Sequence, residues 1–210
     1  MNLIVPPVKV TLRPDLAAIA EMVPHGAKVL DIGCGDGSLL EHLLHTKDVD
    51  GRGLELSQQN VNQCVARGLS VVQGDADTDL GEYPSGIFDT VILSQTIQAT
   101  RQPRVVLHEL LRIGKHVIVS FPNFGHWRIR LALLFSGRMP VTRTLGHSWY
   151  DTPNIHLCTI ADFLSLANEV GARIEHAVAL VGNERTRRIS GNFRGANILA
   201  EGAVFRLVKK

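Results

Sequence analysis

The segment Val29-Leu30-Asp31-Ile32-Gly33-Cys34-Gly35-Asp36-Gly37-Ser38 constrains this chain more than any other. A short apolar strand runs into glycines at three alternate positions, and a helical pattern opens at Ser38. Glycine lets the backbone turn tightly and approach a ligand closely, while the start of a helix offers unpaired N–H groups. The turn has three readings: chain reversal alone, a dinucleotide fingerprint, or a cradle for a ligand that carries an ammonium group. A dinucleotide turn wants a third small residue where this chain has Ser38, and it usually lacks an acid at the strand end such as Asp31. Pyrophosphate needs no carboxylate beside it, whereas an ammonium group does. The third reading is therefore preferred.

Around this unit short apolar runs alternate with helical patterns. Lys28 to Ile32, Arg52 to Leu56, Leu69 to Gln73, Phe88 to Ser94 and His116 to Phe121 read as strands. Ser38 to His45, Ser57 to Arg67 and Arg104 to Arg112 read as the helices between them, with Ser57 as a cap. Strands that are almost continuously apolar and separated by helices predict a parallel sheet covered on both faces. Asp15 to Val23, entered through Pro14, is expected as a leading helix, and Thr159 to Val170 as a late one opened by Thr159 and Asp162. Arg173 to Val181 and Ile198 to Val208 should pair antiparallel across a polar loop that holds Arg185, Arg187, Arg188 and Arg194. The expected fold class is α/β, a doubly wound and mostly parallel seven-stranded Rossmann-like sheet with an antiparallel last strand.

Two further acids end strands of this sheet. Glu55 closes the second, where a carboxylate can accept both hydroxyls of a ribose. Asp75, followed by Ala76, closes the third and can accept from the exocyclic amine of an adenine ring. With Asp31 they occupy the carboxyl ends of the first three strands, where ligands of open α/β sheets bind.

The whole chain limits the remaining classes. At 210 residues with 45% apolar content it can bury one sizeable core but is short for two, so residues 1–210 read as one domain. The balance of 22 basic against 20 acidic residues, +2 overall, creates no global field and disfavours nucleic acid as a partner. Cys34, Cys64 and Cys158 are odd in number and widely spaced, which suits neither a disulfide framework nor a zinc site. The nine histidines include no HxH pair and no HExxH run, so no metal is expected. There is no run long enough to span a bilayer and no signal-like core at the amino terminus, and a cytoplasmic location follows as the expectation.

Between residues 121 and 158 the rhythm breaks, and this stretch reads as an insertion or lid over the sheet. Six of the eleven aromatic residues fall between Phe121 and Tyr150, with Arg128, Arg130, Arg138 and Arg143 and no acid. Aromatics with arginine are what protein interfaces favour, and the same mixture fits a lid over a small anion or a surface that stacks bases. The plainer alternative makes Trp127, Leu131, Leu134 and Phe135 a core-facing stripe with the arginines in water. Asn123, His126, Trp127, Arg138, Trp149, Tyr150 and His156 are the candidate substrate or partner residues. Of these, Asn123 and His126 follow the fifth strand at the ligand end of the sheet.

With these residues in place, the chain resembles the class I adenosylmethionine-dependent methyltransferases. The resemblance implies that Asp31, Gly33, Cys34 and Gly35 hold the methionine half of adenosylmethionine or adenosylhomocysteine. It assigns Glu55 to the ribose, Asp75 with Ala76 to the adenine, and Ser94 with Gln95 to the flank of the sulfonium. Phe121-Pro122-Asn123-Phe124-Gly125-His126-Trp127, Gly137-Arg138-Met139-Pro140-Val141-Thr142 and Trp149-Tyr150-Asp151-Thr152-Pro153-Asn154-Ile155-His156-Leu157-Cys158-Thr159 are similar to the methionine-biosynthesis family called MetW. That resemblance implies work alongside a homoserine O-acyltransferase of the α/β-hydrolase type, acetyl- or succinyl-transferring.

Methyl transfer is an in-line displacement that depends mainly on positioning, so its catalytic residues need leave no signature. The Asn/Asp-Pro-Pro-aromatic motif of many nitrogen-directed enzymes is missing after the fourth strand, where Ser94-Gln95-Thr96-Ile97 stands. The preferred expectation is an adenosylmethionine-binding partner and activator of the acyltransferase. The alternative is an active small-molecule methyltransferase with His126 or His156 as base, and a nucleic-acid methyltransferase ranks third.

Overall fold

The computed structural model describes residues 12–142, 145–182 and 185–210. The amino-terminal residues 1–11 lie outside these, as do Arg143 and Thr144 of the insertion. Five strands run parallel: β1 (Lys28–Ile32), β2 (Asp50–Glu55), β3 (Val71–Gln73), β4 (Phe88–Ser94) and β5 (Gly114–Pro122). Three more, β6 (Ala172–Val181), β7 (Arg185–Arg188) and β8 (Gly202–Lys209), complete one sheet in the order β3-β2-β1-β4-β5-β8-β6-β7. The last strand in sequence, β8, enters antiparallel between β5 and β6. From β1 the chain winds outward through β2 and β3 on one side and through β4 and β5 on the other. The reversal leaves a crevice at the carboxyl ends of β1 and β4.

Side-chain alternation divides each central strand between two covered faces. Leu30, Ile32, Val91, Leu93, Val117 and Val119 pack into the layer that holds α4 (Pro103–Ile113) and α6 (Ile160–Glu169). Val29, Ile92 and Ile118 face the other way, onto Ile19 of α1 (Pro14–Met22) and Leu39 and Leu43 of α2 (Ser38–Lys47). Under α3 (Gln58–Ala66) a smaller cluster joins Leu40, Val61, Leu69 and Val71 with Cys34 and Cys64. A fully buried leucine or isoleucine contributes roughly 1.5–3 kcal/mol, so these runs, more than helix propensity, hold the layers together. The caps match their sequence: Ser57 Oγ accepts from the Asn60 N–H, and Thr159 and Asp162 form a reciprocal capping box.

Two elements depart from expectation. The polar loop before the last strand contains β7, paired antiparallel with Val178–Val181, and α7 (Phe193–Leu199), which takes in Ile198. All four residues of β7 are exposed, so no apolar alternation announces it. The sheet therefore has eight strands, the seven expected plus this edge. In the insertion, α5 (Trp127–Ser136) buries only Ile129. Trp127, Leu131, Leu134 and Phe135 stand in solvent, the last two 74% and 81% exposed, so the core-facing stripe is corrected. The four do share one face of the helix, but that face is exposed and no layer of the sheet lies beneath it. Among the described residues no helix is long and apolar enough to cross a membrane.

Candidate functional site

β1 delivers Asp31 and the glycine turn to the crevice. Gly33 has φ +68° and lies so close to Thr96 that a Cβ would stand 2.5 Å from its Oγ1. Gly37, at φ +76°, opens α2, and a Cβ there would meet Leu69 Cδ1 at 2.5 Å and Cys64 Sγ at 2.8 Å. Both positions therefore need glycine for conformation and for space. Glu55, at the end of β2, locks the turn: its carboxylate accepts from Gly35 N–H at 2.8 Å and Ser57 N–H at 2.9 Å. A third donor, Asn60 Nδ2, lies 3.4 Å away.

Glu55, Asp75, Ala76 and Gly33 line one cleft of about 300 Å3 together with Leu54, Thr96 and Arg101. That volume is at the lower end of what small-molecule sites enclose. Asp75 accepts from Asp77 N–H at 2.9 Å and faces the Arg101 guanidinium at 3.7 Å, so it is a turn-forming residue as well as a wall. Cys34 differs from expectation. Its sulfur lies under β2, where a Cβ on Gly53 would be 2.7 Å away, and burial pushes its thiol pKa up. Its side chain belongs to the small core and only its backbone belongs to the turn.

Asp31 is buried, and its Oδ1 has no hydrogen-bond partner among the described residues. Burial, reinforced by the Glu55 charge and opposed by Arg13, pushes its pKa up to about 7. An orphaned buried carboxylate of this kind lacks a cation or donor to complete it. An adenosylmethionine ammonium fits that chemistry, and the Glu55 and Asp75 carboxylates fit the ribose and adenine donors.

At the carboxyl ends of β4 and β5 lies a network that sequence reading missed. The buried carboxylate of Asp15, in the first turn of α1, accepts from Ser94 Oγ and Gln95 Nε2 at 3.2 Å each and from Ser120 Oγ at 3.4 Å. Arg13 forms an ion pair with Asp15 at 3.1 Å and reaches Ser94 Oγ at 3.4 Å. Gln95 takes φ +47°, a left-handed conformation uncommon outside glycine, and donates its N–H to Ser120 O at 2.9 Å. Such strain persists only where the surroundings hold it, and here α1, β4 and β5 all do. The available signal was Asp15 four residues before Ile19, a carboxylate on the buried face of the helix.

The insertion residues separate into three groups. Asn123 is buried and fully used: its Nδ2 donates to Asn197 O and Ala200 O, and its Oδ1 accepts from Gly125 and Ile160 N–H groups. It ties α5's approach, α6 and α7 together and has no capacity left for a substrate, so its candidate role is corrected to a structural one. His126 is buried at the start of α5, and burial lowers its pKa, which keeps the imidazole neutral near pH 7. His156 is exposed, and its N–H and that of Ile155 both donate to Gln98 O at 3.0 Å. Gln98 in turn donates to Gln95 O at 2.7 Å, which links the insertion to the strained residue beside the cleft. Neither histidine lines the cleft.

Trp149 and Tyr150 are each 75% exposed and meet edge to face at 5.6 Å. The Arg128 guanidinium lies 5.4 Å from the Trp127 ring, and Arg138 is exposed beside the end of α5. A cavity of about 270 Å3 opens between Met139, Leu145, Trp149 and Ile155. Of the sixteen exposed large apolar residues described, ten fall between Trp127 and Leu157. Among the described residues no three His, Cys, Asp or Glu gather as a metal group would require.

Comparison with known proteins agrees with this geometry. The profile of the family described as "Methionine biosynthesis protein MetW" matches residues 13–207. The bifunctional methionine biosynthesis protein MetXA/MetW of Rhodopirellula baltica is 34% identical over 181 residues, 82% of this chain and 29% of that protein. The chain spans about a third or less of the length of the curated relatives it matches. In solved structures, a SAM-dependent methyltransferase of Thermotoga maritima superposes with TM-score 0.69 at 19% identity, covering 94% of this chain and 88% of that one. The [4+2]-cyclase SpnF shares the fold at TM-score 0.65 and 18% identity, over 92% of this chain and 80% of that one. The methyltransferase fold thus also hosts other chemistry. By its sequence profile over almost its whole length, the chain belongs to the MetW methionine biosynthesis family.

Proposed function

We propose that this protein binds adenosylmethionine or adenosylhomocysteine in the cleft and uses its insertion to engage and activate a homoserine O-acyltransferase of the α/β-hydrolase type in the cytoplasm. The observation that carries the reading is the concentration of exposed apolar and aromatic side chains on α5 and the loop to Leu157. A solvated surface of that composition is costly unless a partner covers it. Arg128 and Arg138 at its border, with no acid until Asp151, suit an acidic rim on the partner. The Rhodopirellula baltica relative supports the pairing, because its name joins MetXA and MetW in one polypeptide.

In the cleft, Glu55 would accept the ribose hydroxyls, Asp75 the adenine amine, and Asp31 the ammonium, while the bound cofactor would supply an electrophilic methyl group. The Gln98 contacts with Gln95 and with the insertion give ligand occupancy a route to the docking surface.

The test is the acyltransferase rate with and without the purified protein. Activation is expected with the wild type and at least about tenfold weaker with Leu134→Asp/Phe135→Asp, since both side chains are exposed and their replacement leaves the core intact. Equal rates with and without the protein would refute the activator reading. The second reading, a small-molecule methyltransferase, draws on the same cleft and requires His126, buried at the start of α5 outside the cleft lining, to reach the substrate as base. Methyl turnover by the protein alone, abolished in His126→Gln, would favour it.

A further inference from the structure

On the opposite edge of the sheet from the cleft, a groove of about 430 Å3 lies between β7 and α7. Its floor is apolar, formed by Val181, Ala196 and Leu199. Its wall is cationic. Arg185 stands opposite Val181 and Arg187 opposite Ala179, so both share a face of the hairpin with the floor, and Arg188 closes the end. No acid is among the described residues that line it. Nor is Arg185, Arg187 or Arg188 held in an ion pair with another described residue. Among the described residues, Glu201 places its Oε1 3.4 Å from where a Cβ on Gly182 would stand, at the end of β6. β7 is also the last strand of the sheet, with no described strand along its outer edge.

Arginines on an edge strand can serve simply to prevent edge-to-edge aggregation. That role needs no cavity beneath them, and here there is one with an apolar floor. We propose that the groove docks an extended acidic segment of a partner protein, distinct from the surface presented by the insertion. The segment adds its main chain to the open edge of β7, sets carboxylates against Arg185 and Arg187, and places an apolar side chain over Ala196. Charge complementarity selects an acidic partner, and the unpaired strand edge selects a polypeptide over a simple anion, which has no N–H and C=O row to offer. The four residues of β7 present about 13 Å of edge at roughly 3.3 Å per residue, enough for a short motif.

The test uses the full chain and a fluorescein-labelled peptide Glu-Ser-Val-Ser-Glu, whose Glu and Val side chains share one face of a strand, with Lys-Ser-Val-Ser-Lys as control and tripolyphosphate as competitor. Saturable anisotropy is expected for the acidic peptide alone, in the micromolar range, with at least about tenfold weaker binding to Arg185→Glu/Arg187→Glu. Ala196→Trp, which fills the floor and leaves the charges alone, should weaken it comparably. Far-ultraviolet circular dichroism checks the fold of each variant, and either folded variant suffices to decide. The proposal is overturned by three outcomes: no saturation up to about 1 mM, equal affinity for the basic peptide, or affinity unchanged in the variants. Full displacement by tripolyphosphate with Ala196→Trp unaffected would make the groove an anion site and equally overturn it.

Discussion

Replacing Asp31 by asparagine should stabilise the ligand-free protein at alkaline pH while damaging its ligand site. Asp31 is 1% exposed, its Oδ1 is unpartnered, and its pKa is pushed from 3.8 up to about 7. The folded protein therefore holds this proton until near neutrality, whereas the unfolded chain releases it near 3.8. Between those values the folded state binds more protons, so this group makes stability fall as pH rises, and the full penalty is present above about pH 7. About three pH units at 1.36 kcal/mol each amount to roughly 4 kcal/mol, of which asparagine recovers about half or more, because its amide needs partners of its own. Urea unfolding of both proteins should show a variant advantage that widens by about 2–3 kcal/mol from pH 5 to pH 8.5. An advantage of constant size across that range would refute the assignment of the penalty to a buried ionising carboxyl. The same substitution removes the counter-charge proposed for the ligand's ammonium, so calorimetry should find adenosylmethionine bound at least about tenfold more weakly at pH 8.

Glu55→Ala removes the acceptor for two backbone N–H groups and the acceptor proposed for the ribose, and should weaken adenosylmethionine by about tenfold to a hundredfold in calorimetry, with some loss of stability. Asn123→Ala leaves two N–H groups and two carbonyls without their partner and should cost about 3 kcal/mol or more in denaturant unfolding, with increased proteolysis at the insertion and α7. Gly37→Ala combines a positive φ with contacts under 3 Å and should destabilise by roughly 1–3 kcal/mol, read as a lower thermal midpoint.

What the amino-acid sequence determined by itself was the part written in local pattern. Apolar runs such as Val29 to Ile32 and Val117 to Phe121 announce doubly covered parallel strands, because each is buried on both faces. Gly33 and Gly37 announce the turn because only glycine meets its φ and its spacing, and the strand-end acids Glu55 and Asp75 line the same cleft. Tertiary structure decided what depends on contacts between distant segments. Asp15 gains its network only when α1 is laid beside β4 and β5, 79 to 105 residues later. Asn123 looks like a ligand residue until α6 and α7 pack against it and take three of its four side-chain hydrogen bonds, the fourth going to Gly125. β7 is a strand because β6 offers an open edge, since its own arginines and threonine carry no period that a core would impose. The exposure of α5 is likewise a property of the assembled fold: its leucines and aromatics suit burial as well as docking, and only the lack of a neighbouring layer among the described residues leaves them exposed.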